Sequence, residues 1–280
     1  MTRHIVRLFR QKLLNLDTPL LGRIGALETR LARSKSEIRK AQEIRYQVFY
    51  DEMGATANRR TKLRKRDKDK FDKYCDHLLV IDRTNDNEKI VGTYRLLPDY
   101  QARQLGGYYT QSEFEIPSLL KADSNQRMLE VGRSCILKSH RTKRTMELMW
   151  QGLWSYVLKN KIDVLFGCAS FQGVDIRRHA EALSWLANNV NLDESEELRA
   201  LTTDSIDLRT LRSNFDDPRK AMAGMPPLLK GYLRLGAKIG PQAVIDHQFG
   251  TVDVLVVLKV KDIAPRYLTH YGNDASRFAA

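Results

Sequence analysis

The apolar positions of this chain follow two rhythms. The first is helical. Residues 3–16 (RHIVRLFRQKLLNL) put Ile5, Phe9, Leu13 and Leu16 on one face and Arg3, Arg7 and Arg10 roughly opposite. Ser34 and Glu37 have the S-x-x-E spacing of a capping box, which predicts a helix through about Met53 with Arg45 and Phe49 on a common face. Residues 56–70 (TANRRTKLRKRDKDK) have no apolar period and read as a loop. From His77 the rhythm shortens. HLLVID, KIVGTYRLL, RMLEVGRSCIL and DVLFGCAS each read as a strand, and a helix over 145–160 separates the last two. A helical stretch over 175–190 follows, then a helix in PPLLKGYLRLGA, then QAVIDHQF and TVDVLVVLKV around Gly250 as a hairpin. Short links between the early strands predict antiparallel pairing, and the later strand–helix–strand unit predicts a parallel crossover. The expected architecture is α/β: one domain over residues 35–262, a basic N-terminal segment over 1–34 and a tail over 263–280.

Charge changes this picture at one end. The formal net charge of the 280 residues is +13, and residues 1–70 carry 19 Lys/Arg against 8 Asp/Glu. A basic front attracts nucleic acid, anionic lipid or an acidic protein. Zinc-ligand spacing, an aromatic RNA-binding signature and a helix–turn–helix pattern are all missing, so no nucleic-acid partner is expected. Residues 3–16 fit either a helix lying on an anionic membrane surface or a terminal helix docked on the core. Cys75, Cys135 and Cys168 are far apart and odd in number, which suits a reducing cytoplasm and no disulfide framework. The histidines have no ligand spacing, so no metal site is expected. No uncharged run approaches the roughly 18 residues of a membrane span.

The chemistry lies in charges misplaced among apolar residues. Arg95 interrupts one strand; Glu130 and Arg133 interrupt the next. Burying such groups costs several kcal/mol unless they are paired. Asp69 and Asp72 lie upstream, and Arg45 faces inward beside Phe49. Two readings fit, a structural ion-pair network and a polar pocket. In a regular strand Glu130 and Arg133 point to opposite faces, and Gly132 between them suggests a bulge that would bring them together. His77 and Asp82 match an H-x4-D acyltransferase signature, but an offset of five along a strand separates their side chains, so the match reads as coincidence.

Arg45-x-x-Val48-Phe49, Asp69-Lys-Phe71-Asp72, Gly92-Thr-Tyr-Arg95-Leu-Leu-Pro98 and Glu130-x-x-Arg133 resemble successive signatures of the acyl-homoserine-lactone synthases, members of the GNAT-type acyltransferase superfamily. The longer stretches 130–157, 163–175 and 226–258 resemble the L-ornithine Nα-acyltransferases of ornithine-lipid synthesis. The resemblance implies a mostly antiparallel mixed central sheet flanked by helices. It also implies transfer of a 3-hydroxyacyl chain from acyl carrier protein to the α-amino group of L-ornithine, giving lyso-ornithine lipid. The donor thioester is an acyl-4′-phosphopantetheine on the carrier protein, and no bound cofactor or metal is implied. There are two departures. The turn His140–Thr145 lacks the glycines with which the superfamily cradles a pyrophosphate, and the tryptophan that lactone synthases place after their Arg/Phe motif is missing. A lactone-synthase-like enzyme or another amino-acid N-acyltransferase remains the alternative; the alternative without enzyme activity is a basic nucleic-acid-binding protein.

The candidate roles follow. Glu130 is the expected general base, with Arg133 beside it and backbone N–H groups near Gly132 for the oxyanion. Asp69 and Asp72 suit the ammonium groups of ornithine, and Arg45, Arg95 or Arg133 its carboxylate. Arg141, Lys143 and Arg144 suit the donor phosphate and an acidic carrier protein. Cys135 and Cys168 read as core thiols. The expected location is the cytoplasm, with the N-terminal helix as a peripheral contact on the inner face of the membrane.

Overall fold

Eleven strands can be traced among the described residues: β1 (Gly22–Ile24), β2 (Leu27–Leu31), β3 (Asp76–Asp82), β4 (Lys89–Pro98), β5 (Phe114–Glu115), β6 (Met128–Ile136), β7 (Val164–Gln172), β8 (Arg199–Ala200), β9 (Ser205–Asp207), β10 (Lys238–Asp246) and β11 (Thr251–Lys259). The computed structural model describes residues 19–84, 88–121, 126–192, 198–211 and 217–264. Nine of the strands form one sheet in the order β1-β2-β3-β4-β6-β7-β11-β10-β9, and β5 pairs with β8 apart from it. Every pairing is antiparallel except β6 with β7, which is the predicted crossover. The hairpin around Gly250 is β10–β11.

The helices are α1 (Lys35–Tyr46), α2 (Arg59–Arg64), α3 (Asp99–Leu105), α4 (Pro117–Lys121), α5 (Lys143–Asn160), α6 (Ala180–Asn189), α7 (Pro218–Gly224) and α8 (Pro227–Arg234). Ser34 caps α1 by accepting from the Glu37 N–H at 3.2 Å. Glu37 reaches one residue further back than a capping box requires, to the Arg33 N–H at 2.5 Å. A π-helical turn, Gln47–Glu52, carries the chain on to Met53.

Strand alternation divides the core into two layers. Leu78 and Val80 pack with Leu148, Met149 and Leu153 of α5, whereas Leu79 and Ile81 pack with Ala41 of α1 on the other face. Val252, Val254 and Val256 join the α5 layer; Leu255 and Val257 join the opposite one with Tyr108, Phe114 and Phe166. Among the described residues no helix is long and apolar enough to cross a membrane.

Two expectations are corrected. The 56–70 stretch contains α2, capped by Asn58 through the Thr61 N–H at 2.9 Å and ended by Lys65 in the left-handed conformation. A capping side chain outweighs the missing apolar face. The sheet begins before residue 35, because β2 pairs with β3 over Leu27–Leu31. Residues 3–16 and 265–280 lie outside the described residues, and with them the amphipathic helix.

The feature that positions the site is a fork. β6 and β7 pair over only three positions, Met128, Leu129 and Glu130 against Val164, Leu165 and Phe166. Beyond them β7 stays with β11 along its whole length, through Thr251 opposite Gln172. At the branch a side chain on Gly167 would overlap the Val131 carbonyl oxygen, so glycine permits the close approach from which the strands diverge. Gly167→Ala is expected to cost about 1–3 kcal/mol, read as a lowered denaturation midpoint, because backbone rather than a flexible side chain must yield.

Candidate acyl-transfer site

The fork opens a cavity of about 390 Å³ whose walls are the diverging halves of β6 and β7. Glu130 is the last residue of β6 to pair with β7, and it lines this cavity. It is 5% exposed and accepts hydrogen bonds from the N–H groups of Tyr109 at 2.9 Å and Thr110 at 2.6 Å. Burial raises its pKa, and the donors at Thr110 and Tyr109 offset only part of that. The carboxylate therefore both holds the 108–112 segment and borders the cleft with a raised pKa.

The bulge expected near Gly132 is present. Arg95 lies opposite Gly132 and Thr93 opposite Cys135, so Tyr94 alone faces both Arg133 and Ser134. The left-handed residue is Arg133 (φ 53), not the glycine. The extra residue inverts the strand's parity. Leu129 and Val131 face the α5 layer before it, and Ile136 does so after it. Arg133 is thereby freed from the α5 face and packs over the rings of Tyr109 (4.6 Å) and Phe249 (4.2 Å). Glu130 and Arg133 both line the cavity, as does Gly132, with open space over its Cα.

The other predicted charges divide. Arg45, 0% exposed, lies 2.8 Å from Asp67 and 2.8 Å from Asp72, and it donates to the Asp67 carbonyl. Burial works against its charge, and Asp67 and Asp72 outweigh it, so its pKa rises. Asp72 also accepts from the Asp69 N–H at 3.0 Å. Arg45 and Asp72 do not line the cavity. They form a structural ion-pair network rather than the amino-acid contacts expected of them. Arg95 does line it, but its guanidinium is 2.5 Å from Asp69. Burial raises the Asp69 carboxyl's pKa and Arg95 outweighs that, holding it below the usual range. Asp69 borders a neighbouring hollow that shares Tyr109 and Arg133 with the cleft. Asp67, which sequence reading passed over in a basic run, is the acid that links Arg45 to Arg133, at 3.4 Å from the latter.

Arg141 lines the cavity and is tied to Glu52 at 2.8 Å and to the Ile136 carbonyl at 2.8 Å. Lys143, with its side chain 90% exposed, and Arg144 lie outside the cavity on the first turn of α5, which Thr142 caps. His77 is buried and bonds the Asp72 carbonyl at 2.9 Å, whereas Asp82 meets His140 at 3.2 Å, so the H-x4-D pair never meets. Burial pushes the Cys135 thiol up to about 12 and the Cys168 thiol well above its ordinary value, so neither is a ready nucleophile.

Sequence reading also missed a second acidic group. Glu113, Asp246 and Asp253 bring ligand-capable oxygens within 4.8 Å of one another, and Asp246 and Asp253 line the cleft. Asp253 was open to the same test that found Glu130, being a charge inside an apolar strand, TVDVLVVL. The expectation of no metal site rested on spacing along the chain, and these three acids meet only through folding.

A mixed sheet with one parallel pair that splays over a buried carboxylate defines the class: a GNAT-type acyltransferase. A family model described as "Acetyltransferase (GNAT) domain" matches residues 44–151. The chain is 49% identical over 264 residues to the L-ornithine N(alpha)-acyltransferase of Rhizobium meliloti (strain 1021), covering 93% of this chain and 89% of that one. It is 45% identical over 267 residues to that of Brucella abortus (strain 2308), covering 94% and 95%. Among solved structures it is similar to FeeM, an N-acyl amino acid synthase from uncultured soil microbes (TM-score 0.47, 13% identity, 84% of this chain and 91% of that one). The chain belongs to the L-ornithine N(alpha)-acyltransferase family.

The ion-pair network yields a prediction. Arg45→Met removes the counter-charge of two buried acids and is expected to destabilise the fold by about 3–5 kcal/mol. Chemical denaturation reads this directly; a variant of unchanged stability but weakened amino-acid binding would return Arg45 to the substrate.

Proposed function

We propose that the protein moves a (3-hydroxy)acyl chain from acyl carrier protein to the α-amino group of L-ornithine, giving lyso-ornithine lipid. The observation that carries this reading is the β6–β7 fork, a slot between strands with a buried carboxylate at its closed end, in a chain of this family. A slot of that form suits an extended thioester arm. Its two walls offer backbone groups that no neighbouring strand engages.

In this reading the acyl-phosphopantetheine arm enters the fork and the ornithine amine approaches from the Glu130 face. The amine nitrogen bonds to the thioester carbon, the C–S bond breaks, and the carrier's thiol leaves with a proton. Glu130, directly or through a water, accepts the proton that the attacking amine loses and returns it to the departing thiolate. Backbone N–H groups beside the open space at Gly132 meet the oxyanion. The raised thiol pKa values of Cys135 and Cys168 favour direct attack over an acyl-enzyme. Arg141 at the cleft, with Lys143 and Arg144 on the turn beside it, supplies charge for the phosphodiester and for the acidic carrier surface. Residues 3–16 would hold the enzyme against the anionic inner face of the membrane that receives its product.

Purified protein incubated with 3-hydroxyacyl carrier protein and a panel of amino acids, followed by mass spectrometry, tests the reading. N-acyl-ornithine formation that needs carrier protein and weakens with salt is expected; homoserine lactones, or tight nucleic-acid binding with no acyl transfer, would replace it. Glu130→Gln should lower kcat by roughly 10²–10⁴, and a folded variant of full activity would remove Glu130 from the role of base.

A further inference from the structure

The acids of this protein fall into two populations. Asp67, Asp69 and Asp72 each face an arginine. Glu113, Asp246 and Asp253 converge with no ion pair to a described residue, although one arginine, Arg133, acts on Glu113 and Asp253 from further off. Glu113 is 7% and Asp253 5% exposed, and one oxygen of each, Glu113 Oε2 and Asp253 Oδ1, is buried without a hydrogen-bond partner. An orphan acceptor of this kind costs about 1–3 kcal/mol, more when charged. Two such atoms in one cluster mark a place meant for a donor.

The location says which donor. Asp253 lies on the same sheet face as Leu255 and Val257, which pack under Tyr108 and Phe114; Tyr109 and Thr110 of that covering segment hold Glu130. Asp246 and Asp253 line the cleft that Glu130 lines. A molecule whose amine reaches Glu130 therefore extends its remainder along this face towards the cluster. Burial and the neighbouring Asp253 push the Glu113 carboxyl up to about 8, and burial pushes Asp253 up to about 6. Without a cation Glu113 keeps its proton at neutral pH. A cation with its own protons to donate would take that proton's place.

We propose that Glu113, Asp246 and Asp253 form the subsite for the side-chain ammonium of the amino-acid acceptor, so that this cluster selects a diamino acid over a neutral one. The proposal rests on the reading of the acceptor as ornithine. An ammonium carries three donors around one point and meets the two orphan oxygens and the third acid. A divalent ion of the calcium type would ask for six or more oxygen ligands, and this group offers three carboxylates.

The test compares acyl transfer to ornithine and to norvaline, the same chain without the terminal amine. The wild-type protein should prefer ornithine. Asp253→Asn and Glu113→Gln should lower the ratio of kcat/KM for ornithine to that for norvaline by about 10- to 100-fold, mainly through KM for ornithine. Asp246→Asn, at a half-buried position whose Oδ1 accepts from the Gln248 and Phe249 N–H groups and which an amide oxygen can still serve, is read in parallel. A ratio unchanged in all three variants would overturn the assignment, as would activity lost on dialysis against chelator and restored by Mg²⁺ or Mn²⁺. Wild-type protein that transfers nothing to ornithine would instead sink the acceptor reading beneath it.

Discussion

Three paired positions between β6 and β7, followed by their divergence, govern most of this molecule. Parallel strands normally run on together because each further pair satisfies two backbone groups. Here β7 keeps its antiparallel partner β11 and β6 keeps β4, so both strands stay anchored on their outer sides while the inner sides separate. Gly167 lets the strands touch at the branch, and the bulge at Arg133–Ser134 turns β6 away beyond it. The cost is unpaired backbone in the middle of a sheet, and the return is a slot walled by peptide groups.

Charge is arranged around that slot by a consistent rule. Where an acid and an arginine serve the fold, they are buried together: Arg45 with Asp67 and Asp72, Arg95 with Asp69. Removing water from such a pair is tolerable because each charge answers the other. Where a buried acid has no arginine paired with it, as at Glu130, Glu113 and Asp253, burial raises its pKa. Arg133 belongs to both sets. It is held by Asp67 and two aromatic rings, yet it faces the cavity. A rigid charged frame thus surrounds a few ionisable groups whose protonation is free to change with what binds.

Much of this was legible in order along the chain. Alternating runs predicted β3, β4, β6, β7, β10 and β11, and the helix between β6 and β7 predicted the parallel crossover. Misplaced charges flagged Glu130, Arg133 and Arg95, all of which border the cavity. The flag did not separate partners from ligands, so Arg45 and Asp72 looked like substrate contacts and proved to be each other's counter-ions. The short strands β1, β2, β5, β8 and β9 were missed, because a few residues are too few to display a period.

What the sequence determined by itself was the longer strands and helices, the family and the identity of the unusual strand residues, because periodicity, capping and motif spacing are local properties of the chain. Only the tertiary structure decided which acids are neutralised. Glu113 and Asp253 are 140 positions apart and Asp67 and Arg133 are 66 apart, separations read from their numbers. Electrostatic pairing depends on distance through space and on excluded water, and neither is written in spacing along the chain.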